Sequence, residues 1–397
     1  MKQPPGITEK SKPNGICKLN KSLYGLKQSG RLWYERLKQE LERLDFSTCK
    51  YENCLFYHQK FDIIIAVYVD DILLIGKHLD NIDYIKEKLS KAFSMKDMGQ
   101  ANFILGIQIK YDRENGRSQI CLGSYIDKAI NNLNIQNFRP YSLPIDKSTK
   151  LSIEQCPASE DDKILMPKVP YAQSIGALNW LALTTRPDIS YAVSCCAQFT
   201  SNPGQEHWKQ VKRIFGYLKK TRNFKLNYNA NISETEGYTD ADFGRDIDSR
   251  RSTSGYVYAI AGGAVSWSSK KQSTTAVSTQ EAEYVAIEHG SKEAIWISRI
   301  VEFINRPLSS TITINSDNEA AIDAIKNPFK KSSLKHVDIR IHAAHDRYLR
   351  NEFNINWVPS SKQVADLFTK GLTGDILYIL RHRIGLKSDE DNRWEEC

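Results

Sequence analysis

Hydrophobic positions along the 397-residue chain change period several times, and each change predicts an element. Leu32, Leu37, Leu41 and Leu44 recur near helical spacing after the glycine-broken turn SLYGLKQSG, which predicts one long helix. The run from Ile63 to Gly76, IIIAVYVDDILLIG, is rich in β-branched residues and predicts two buried strands with Asp70 and Asp71 at the tight turn between them. A charged helix from Leu79 to Phe93 follows. The alternating stretch ANFILGIQIKY then reads as a strand entering a hairpin at Glu114 to Gly116.

Between Asn137 and Val169 the pattern dissolves into polar residues with Pro140, Pro144, Pro157 and Pro167, the composition of a linker, and a domain boundary is expected there. Tyr171 to Leu226 reads as helical, broken by TRPD and NPG signals, with a basic second half. From Glu236 strand grammar returns: EGYTDADFG, then GYVYAIAGGAVSWSSKKQ with Gly262-Gly263 as a hairpin turn. The segment Thr279 to Asn305 carries apolar residues at helical intervals, with Thr279 as the expected N-cap. The strand TITINS, a helix after Asp317, a helix from Leu334 to Leu349, the strand FNINWV and a short helix from Lys362 to Lys370 complete the order βββαβαβα with one extra helix. The expected fold class is therefore a multidomain α/β and α+β chain.

Composition narrows the chemistry. With 26% charged and 41% hydrophobic residues the chain can bury two or three domain cores, and a net charge of +8 favours a polyanionic partner. Eight cysteines without C-x-x-C spacing suggest neither a disulfide framework nor a zinc cluster, so a reduced, intracellular setting is expected. No stretch approaches the roughly 20 apolar residues of a membrane span.

Two groups of acids then stand out. Burying Asp70 and Asp71 side by side is expensive unless cations compensate, and a carboxylate turn holding two divalent metals about 4 Å apart is one solution; a solvated Asp-Asp hairpin tip is the other. Further on, Asp240, Glu283, Asp317 and Asp366 sit where strands end or helices begin. Four carboxylates from four elements suit hard divalent cations with open water positions, whereas each acid taken singly also suits helix capping.

The strings CKLNKSLYGLKQSGRLWYERL, YVDDILLIG, MKDMGQANFILGIQI, TRPDISYAV, GYTDADFG, RRSTSGYVYAIAGGAVSWSSKKQ, STQEAEYVA, SDNEAAI and QVADLFTK occur in this order. By them the chain resembles the C-terminal part of the Pol polyprotein of copia-type retrotransposons, up to Thr373. The resemblance implies a truncated reverse transcriptase palm over 1–136, a helical connection over 137–230, a ribonuclease H-like domain over 231–373 and a tail over 374–397. It implies metal binding by Asp70 and Asp71, with Tyr68 beside the primer end and Gln28 near the incoming nucleotide or template. In the nuclease it implies that Asp240, Glu283, Asp317 and Asp366 hold two Mg2+ ions, or Mn2+ in their stead, and cleave the RNA strand of an RNA–DNA hybrid. Glu281 is the alternative to Glu283. The implied setting is cytoplasmic, within virus-like particles, and nuclear, with upstream Pol domains as partners and no membrane.

Two departures from the family pattern matter. The family's third polymerase aspartate lies upstream of the MKQP-like string, and neither Glu9 nor the acids Glu35, Glu40, Glu42 and Asp45 replace it, so this polypeptide alone is expected not to polymerise DNA. After WVPSS the chain runs directly into KQVADL, so Ser360 and Ser361 stand where many ribonucleases H carry a histidine-bearing loop. The segment His207 to Lys225 interleaves aromatics with Lys209, Lys212, Arg213, Lys219, Lys220 and Arg222. It reads either as a phosphate-contacting helix or as an amphipathic helix with solvated lysines, and its place between the two domains favours contact. His336, His342 and His345 read as helix packing in preference to a metal site. The competing function is a non-catalytic nucleic-acid-binding remnant of a retrotransposon.

Overall fold

The computed structural model describes residues 1–4, 6, 11–12, 14–133, 138–308, 310–327 and 338–389, with side chains of 338–342 excluded. The expectations for Glu9, His336, the His342 side chain and the acidic tail from Glu390 lie outside the described residues. The chain divides into two compact units: Met1–Gln100 with Phe303–Asn305, and Ala101–Glu302 with the chain from Arg306 onward.

In the first unit α1 (Ser29–Arg43) follows a turn in which Gly25 adopts φ +91, the left-handed region open to glycine. Strands β1 (Ser47–Thr48), β2 (Leu55–His58), β3 (Ile63–Tyr68) and β4 (Asp71–Ile75) form an antiparallel sheet in sequence order, and α2 (Leu79–Ala92) follows. Leu37 and Leu41 of α1 and Ile85 and Leu89 of α2 bury their side chains with Phe56, Ile63 and Ile65 of the sheet. These helical residues lie four apart, the spacing that gives each helix one apolar stripe.

The second unit opens with β5 (Phe103–Ile104), β6 (Ile107–Asp112), β7 (Arg117–Cys121) and α3 (Gly123–Asn132). The single strand expected over ANFILGIQIKY is split into β5 and β6 by a two-residue turn, Leu105-Gly106, at φ +52 and +81. Helices α4 (Glu160–Leu165), α5 (Tyr171–Thr184), α6 (Ser190–Ala197) and α7 (Gln205–Lys220) precede β8 (Lys225–Asn229). The nuclease-like part contains β9 (Thr235–Ala241), β10 (Thr253–Ile260), β11 (Gly263–Lys271), α8 (Thr279–Phe303), β12 (Thr313–Ser316), α9 (Glu319–Lys326), α10 (Asp338–Leu349) and β13 (Asn354–Trp357). A 3-10 turn at Val364–Phe368, α11 (Gly374–Arg383) and β14 (Leu386–Lys387) close it. Strand order is β11-β10-β9-β12-β13, antiparallel through β9 and parallel from β9 to β13, built on the βββαβαβα element order that the periodicity predicted. The hairpin turn between β10 and β11 is Ala261-Gly262, one residue before the expected pair, because Gly263 already pairs with Ile260.

A second five-stranded sheet, β14-β8-β7-β6-β5, ties residues 103–121 to strands from the middle and the end of the chain. An isolated hairpin is marginal in water, so β6 and β7 gain from the added strands. The compact division thus falls after Gln100, whereas the sequence pattern placed a boundary at 136/137. No core boundary falls near 230 either: Val211, Ile214 and Phe215 of α7 share one buried cluster with Tyr238, Val257, Ala264 and Phe368. Trp267 Nε1 of β11 donates to Ala182 O of α5 at 2.6 Å, satisfying a carbonyl near the end of that helix.

Candidate metal centre

Parallel pairing of β9 with β12 brings the carboxyl ends of two neighbouring strands together, the position from which α/β sheets present sites. Asp240 is the penultimate residue of β9, and Asp317 directly follows β12. Helix α8 approaches closely because residue 290 is glycine: a Cβ there would lie 2.5 Å from Thr239 Cγ2. Glu283 lies two turns earlier on the same face. One ligand oxygen from each of Asp240, Glu283 and Asp317 lies within 4.8 Å of the others.

The fourth acid arrives from the 3-10 turn. Gly255 of β10 lets that turn press onto the sheet, since a Cβ would meet Phe368 Cβ at 2.7 Å and Thr369 Cγ2 at 2.8 Å. Gln363 Nε2 fixes the turn by donating to Thr239 O at 3.0 Å. Thr369 Oγ1 then donates to Asp240 Oδ2, and Lys370 Nζ lies 2.6 Å from Asp366 Oδ1 and 3.8 Å from Asp240 Oδ2.

The helix-capping alternatives fall to other residues. Asn318 caps α9, its Oδ1 accepting from Ala321 N at 2.9 Å, which leaves the Asp317 side chain to accept from Ser360 Oγ at 2.7 Å. At α8, Ser278 Oγ accepts from Glu281 N at 3.1 Å in place of the expected Thr279 cap, and Glu281 Oε2 accepts from Val277 N at 2.8 Å. Residues two apart on a helix do not face the same way, so Glu281 closes the helix end while Glu283 faces Asp240.

The electrostatics follow from this crowding. Glu283 is 7% exposed, and its Oε2 has no hydrogen-bond partner. Burial, and then the charges of Asp240 and Asp317, hold its carboxyl well above the ordinary glutamate range. Asp366 is pushed up to about 7 by burial and by Asp240, against the opposing pull of Lys370. Three converging carboxylates with an unsatisfied buried oxygen fit a hard divalent cation.

The first unit presents its acids differently. Tyr68 pairs with Asp71 at the end of the β3–β4 hairpin, leaving Val69-Asp70 as a two-residue tip. Asp70, Asp71 and Tyr68 are all exposed, as is Gln28 at the start of α1. Of the two readings left open, the geometry is that of the solvated hairpin tip, with both carboxylates exposed to water. Val69 holds φ +54, a conformation unfavourable for a β-branched residue, and Trp33 Nε1 donates to its carbonyl at 2.8 Å. Among the described residues, no third His, Cys or acidic side chain joins this pair.

The reverse transcriptase (RNA-dependent DNA polymerase) family model matches residues 1–147. The transposon Ty5-1 protein of Saccharomyces cerevisiae is 35% identical over 289 residues, 72% of this chain and 92% of that protein. The Pol polyprotein of transposon TNT 1-94 from Nicotiana tabacum is 35% identical over 392 residues, 98% of this chain. The chain belongs to the copia-type retrotransposon Pol family. It spans 29% of the length of the tobacco polyprotein. A structure of the foamy viral protease-reverse transcriptase in complex with RNA/DNA hybrid is similar at 15% identity, over 88% of this chain and 40% of that one, with a TM-score of 0.46.

The basic helix of this Pol chain is α7. Its aromatics face inward, with Phe215 and Tyr217 fully buried and Trp208 packed on the core. Most of its cations have partners within the unit. Lys209 pairs with Glu206 at 2.5 Å, Arg213 with Asp146 at 2.6 Å and Arg222 with Asp127 at 2.5 Å. Lys220 Nζ donates to Ser142 Oγ at 2.8 Å, Lys219 lies over the Phe138 ring, and Lys212 is half-buried. His345, on α10, is buried against Ile325 O at 2.6 Å, as helix packing requires.

Sequence reasoning missed Thr369 and Lys370 at the site, although Lys370 lies four residues after Asp366, the spacing of a helical ion pair. It also read TRPD only as a helix end. Arg186 and Asp188 of that motif form a fully buried bidentate pair, with Arg186 Nε 2.9 Å from Asp188 Oδ1 and Nη2 2.7 Å from Oδ2. Tyr217 OH of α7 donates to the same carboxylate at 2.6 Å.

Proposed function

We propose that the second unit hydrolyses the RNA strand of RNA–DNA hybrids in a reaction dependent on Mg2+, for which Mn2+ substitutes. The observation that carries this reading is the convergence of Asp240, Glu283 and Asp317 with a buried, unpaired Glu283 oxygen. Asp240, Glu283 and Asp317 would hold the metal, with Asp366 completing the carboxylate set on the far side of Asp240. When bound, divalent ions supply the positive charge that clamps the attacking and leaving oxygens of a phosphodiester.

The chain's own groups set up this chemistry. Thr369 and Ser360 orient Asp240 and Asp317 through hydroxyl donors, much as outer hydrogen bonds orient ligating groups elsewhere. Asp366, titrating near 7, can hold a proton at its carboxyl at working pH. The cations of α7 remain candidates for the hybrid backbone, because exposed ion pairs such as Lys209–Glu206 are worth under about 1 kcal/mol and phosphates can replace them.

The hairpin carrying Asp70 and Asp71 supports descent from a polymerase palm, with Tyr68 and Gln28 as its primer and nucleotide contacts. No third carboxylate among the described residues converges on that pair, so we expect no two-metal polymerisation by this polypeptide alone. The deciding experiment supplies a labelled RNA–DNA hybrid and Mg2+ to the full chain and to Asp317→Asn. Cleavage by the first and not the second, with both folded, supports the nuclease. Hybrid binding without cleavage by the unmutated chain would instead identify a non-catalytic binding remnant.

A further inference from the structure

Lys370 occupies an unusual position for a cation beside a metal centre. Its ammonium lies 2.6 Å from Asp366 and 3.8 Å from Asp240, so it bridges two of the four acids. One oxygen each of Asp240, Glu283 and Asp317 forms the cradle, so Asp240 belongs to both groups, and Glu283 Oε2 is buried with no hydrogen-bond partner. Ser360 satisfies Asp317 and Thr369 satisfies Asp240, yet only the ammonium answers Asp366 by an ion pair. The Asp240–Asp366 pair thus already has a cation, whereas Glu283 and Asp317 have no ion-pair partner among the described residues.

We propose that Lys370 holds the place of a second metal ion, so that the centre fills unequally: one divalent cation enters the Asp240–Glu283–Asp317 cradle directly, and a second must displace the Lys370 ammonium from between Asp240 and Asp366. This rests on the nuclease reading and adds an order of events to it. Ionised, as metal ligands must be, the four carboxylates carry four formal negative charges. One dication with the ammonium nearly balances them, whereas two dications with the ammonium still in place exceed them, so the lysine must swing out as the second ion enters. Its flexible four-carbon stem and half-exposed position permit that movement.

The test titrates Mn2+ into the full chain without substrate, counting bound ions by electron paramagnetic resonance and following Tm in parallel. The unmutated chain should bind one ion strongly and a second at least about tenfold more weakly, the scale expected for a unit charge a few ångströms away. Lys370→Met should tighten the second site by about tenfold or more, lower the Tm of the metal-free protein and enlarge its rise on adding Mn2+. Lys370→Arg, which keeps the charge, should retain the inequality. Two equal sites in the unmutated chain, or second-site affinity unchanged in a folded Lys370→Met, would overturn the assignment of Lys370 while leaving the nuclease reading intact. No saturable Mn2+ binding by either protein would overturn both.

Discussion

The two acidic groups of this Pol chain differ in how much the protein has invested in them. Asp70 and Asp71 stand in water at a hairpin tip, supported by one strained valine and one tryptophan hydrogen bond. Asp240, Glu283, Asp317 and Asp366 come from four elements, are held at short range by hydroxyl and ammonium donors, and push two of their number away from ordinary titration. Solvated neighbours cost the fold little, whereas desolvated ones destabilise it until a cation arrives. Concentrated like charge inside a folded unit therefore marks the place where metal binding energy is available for chemistry.

The largest effect that would break this contrast is on cleavage. Asp240→Asn should lower Mg2+-dependent cleavage of an RNA–DNA hybrid by about two orders of magnitude or more, whereas Asp70→Asn with Asp71→Asn should leave it within twofold. Initial rates with the folded variants compare the two directly, and comparable losses would end the distinction.

Stability separates the regions next. Arg186→Ala leaves Asp188 buried without its cation and should destabilise the second unit by about 3–5 kcal/mol, read by urea denaturation, because both partners are fully desolvated.

A third measurement uses pH. Asp366 and Glu283 have folded-state pKa values raised above their unfolded values, so the native state binds more protons than the unfolded chain. Their contribution is fully present below the unfolded values and is lost as pH rises, for Asp366 between 3.8 and about 7. The metal-free Tm should fall across that window, more in the unmutated chain than in Asp366→Asn, and Mg2+ at neutral pH should restore it. A flat profile would show that the acids are not crowded in solution.

The smallest effect lies at the other site. Val69→Gly relieves a left-handed valine and should stabilise the first unit by about 1 kcal/mol against glycine's own entropic cost, measurable as a shift in denaturation midpoint.

Much of the nuclease-like part was legible in the sequence. Element order was read from the βββαβαβα periodicity, and each acid stands next to a change of period, which is why all four could be named as candidates from the residues. Choosing Glu283 over Glu281 took the helix geometry, since periodicity alone cannot say which of two acids caps and which faces the sheet. The apolar run around Asp70 and Asp71 could not decide between a metal-holding pair and a solvated tip: strand propensity describes the sheet, not the exposure of its hairpin. Least legible were the long-range pairings. Arg222 finds Asp127 at a separation of 95 residues and Lys225 finds Asp389 at 164, and no local pattern announces such partners. Nor does local pattern announce that β7, within the residues the reverse transcriptase family model matches, adds to β8.

That pairing bears on how this element's parts can be exchanged. A piece cut at residue 231 would strip β14 of β8 and bare the faces of Tyr238, Val257 and Phe368 that now rest against α5 to α7. Recombination or protein engineering that respects the physical seam would move everything from Ala101 onward as one cassette. The module that holds together is thus about twice the length of residues 231–373 alone, because one apolar core runs through both its helices and its sheet.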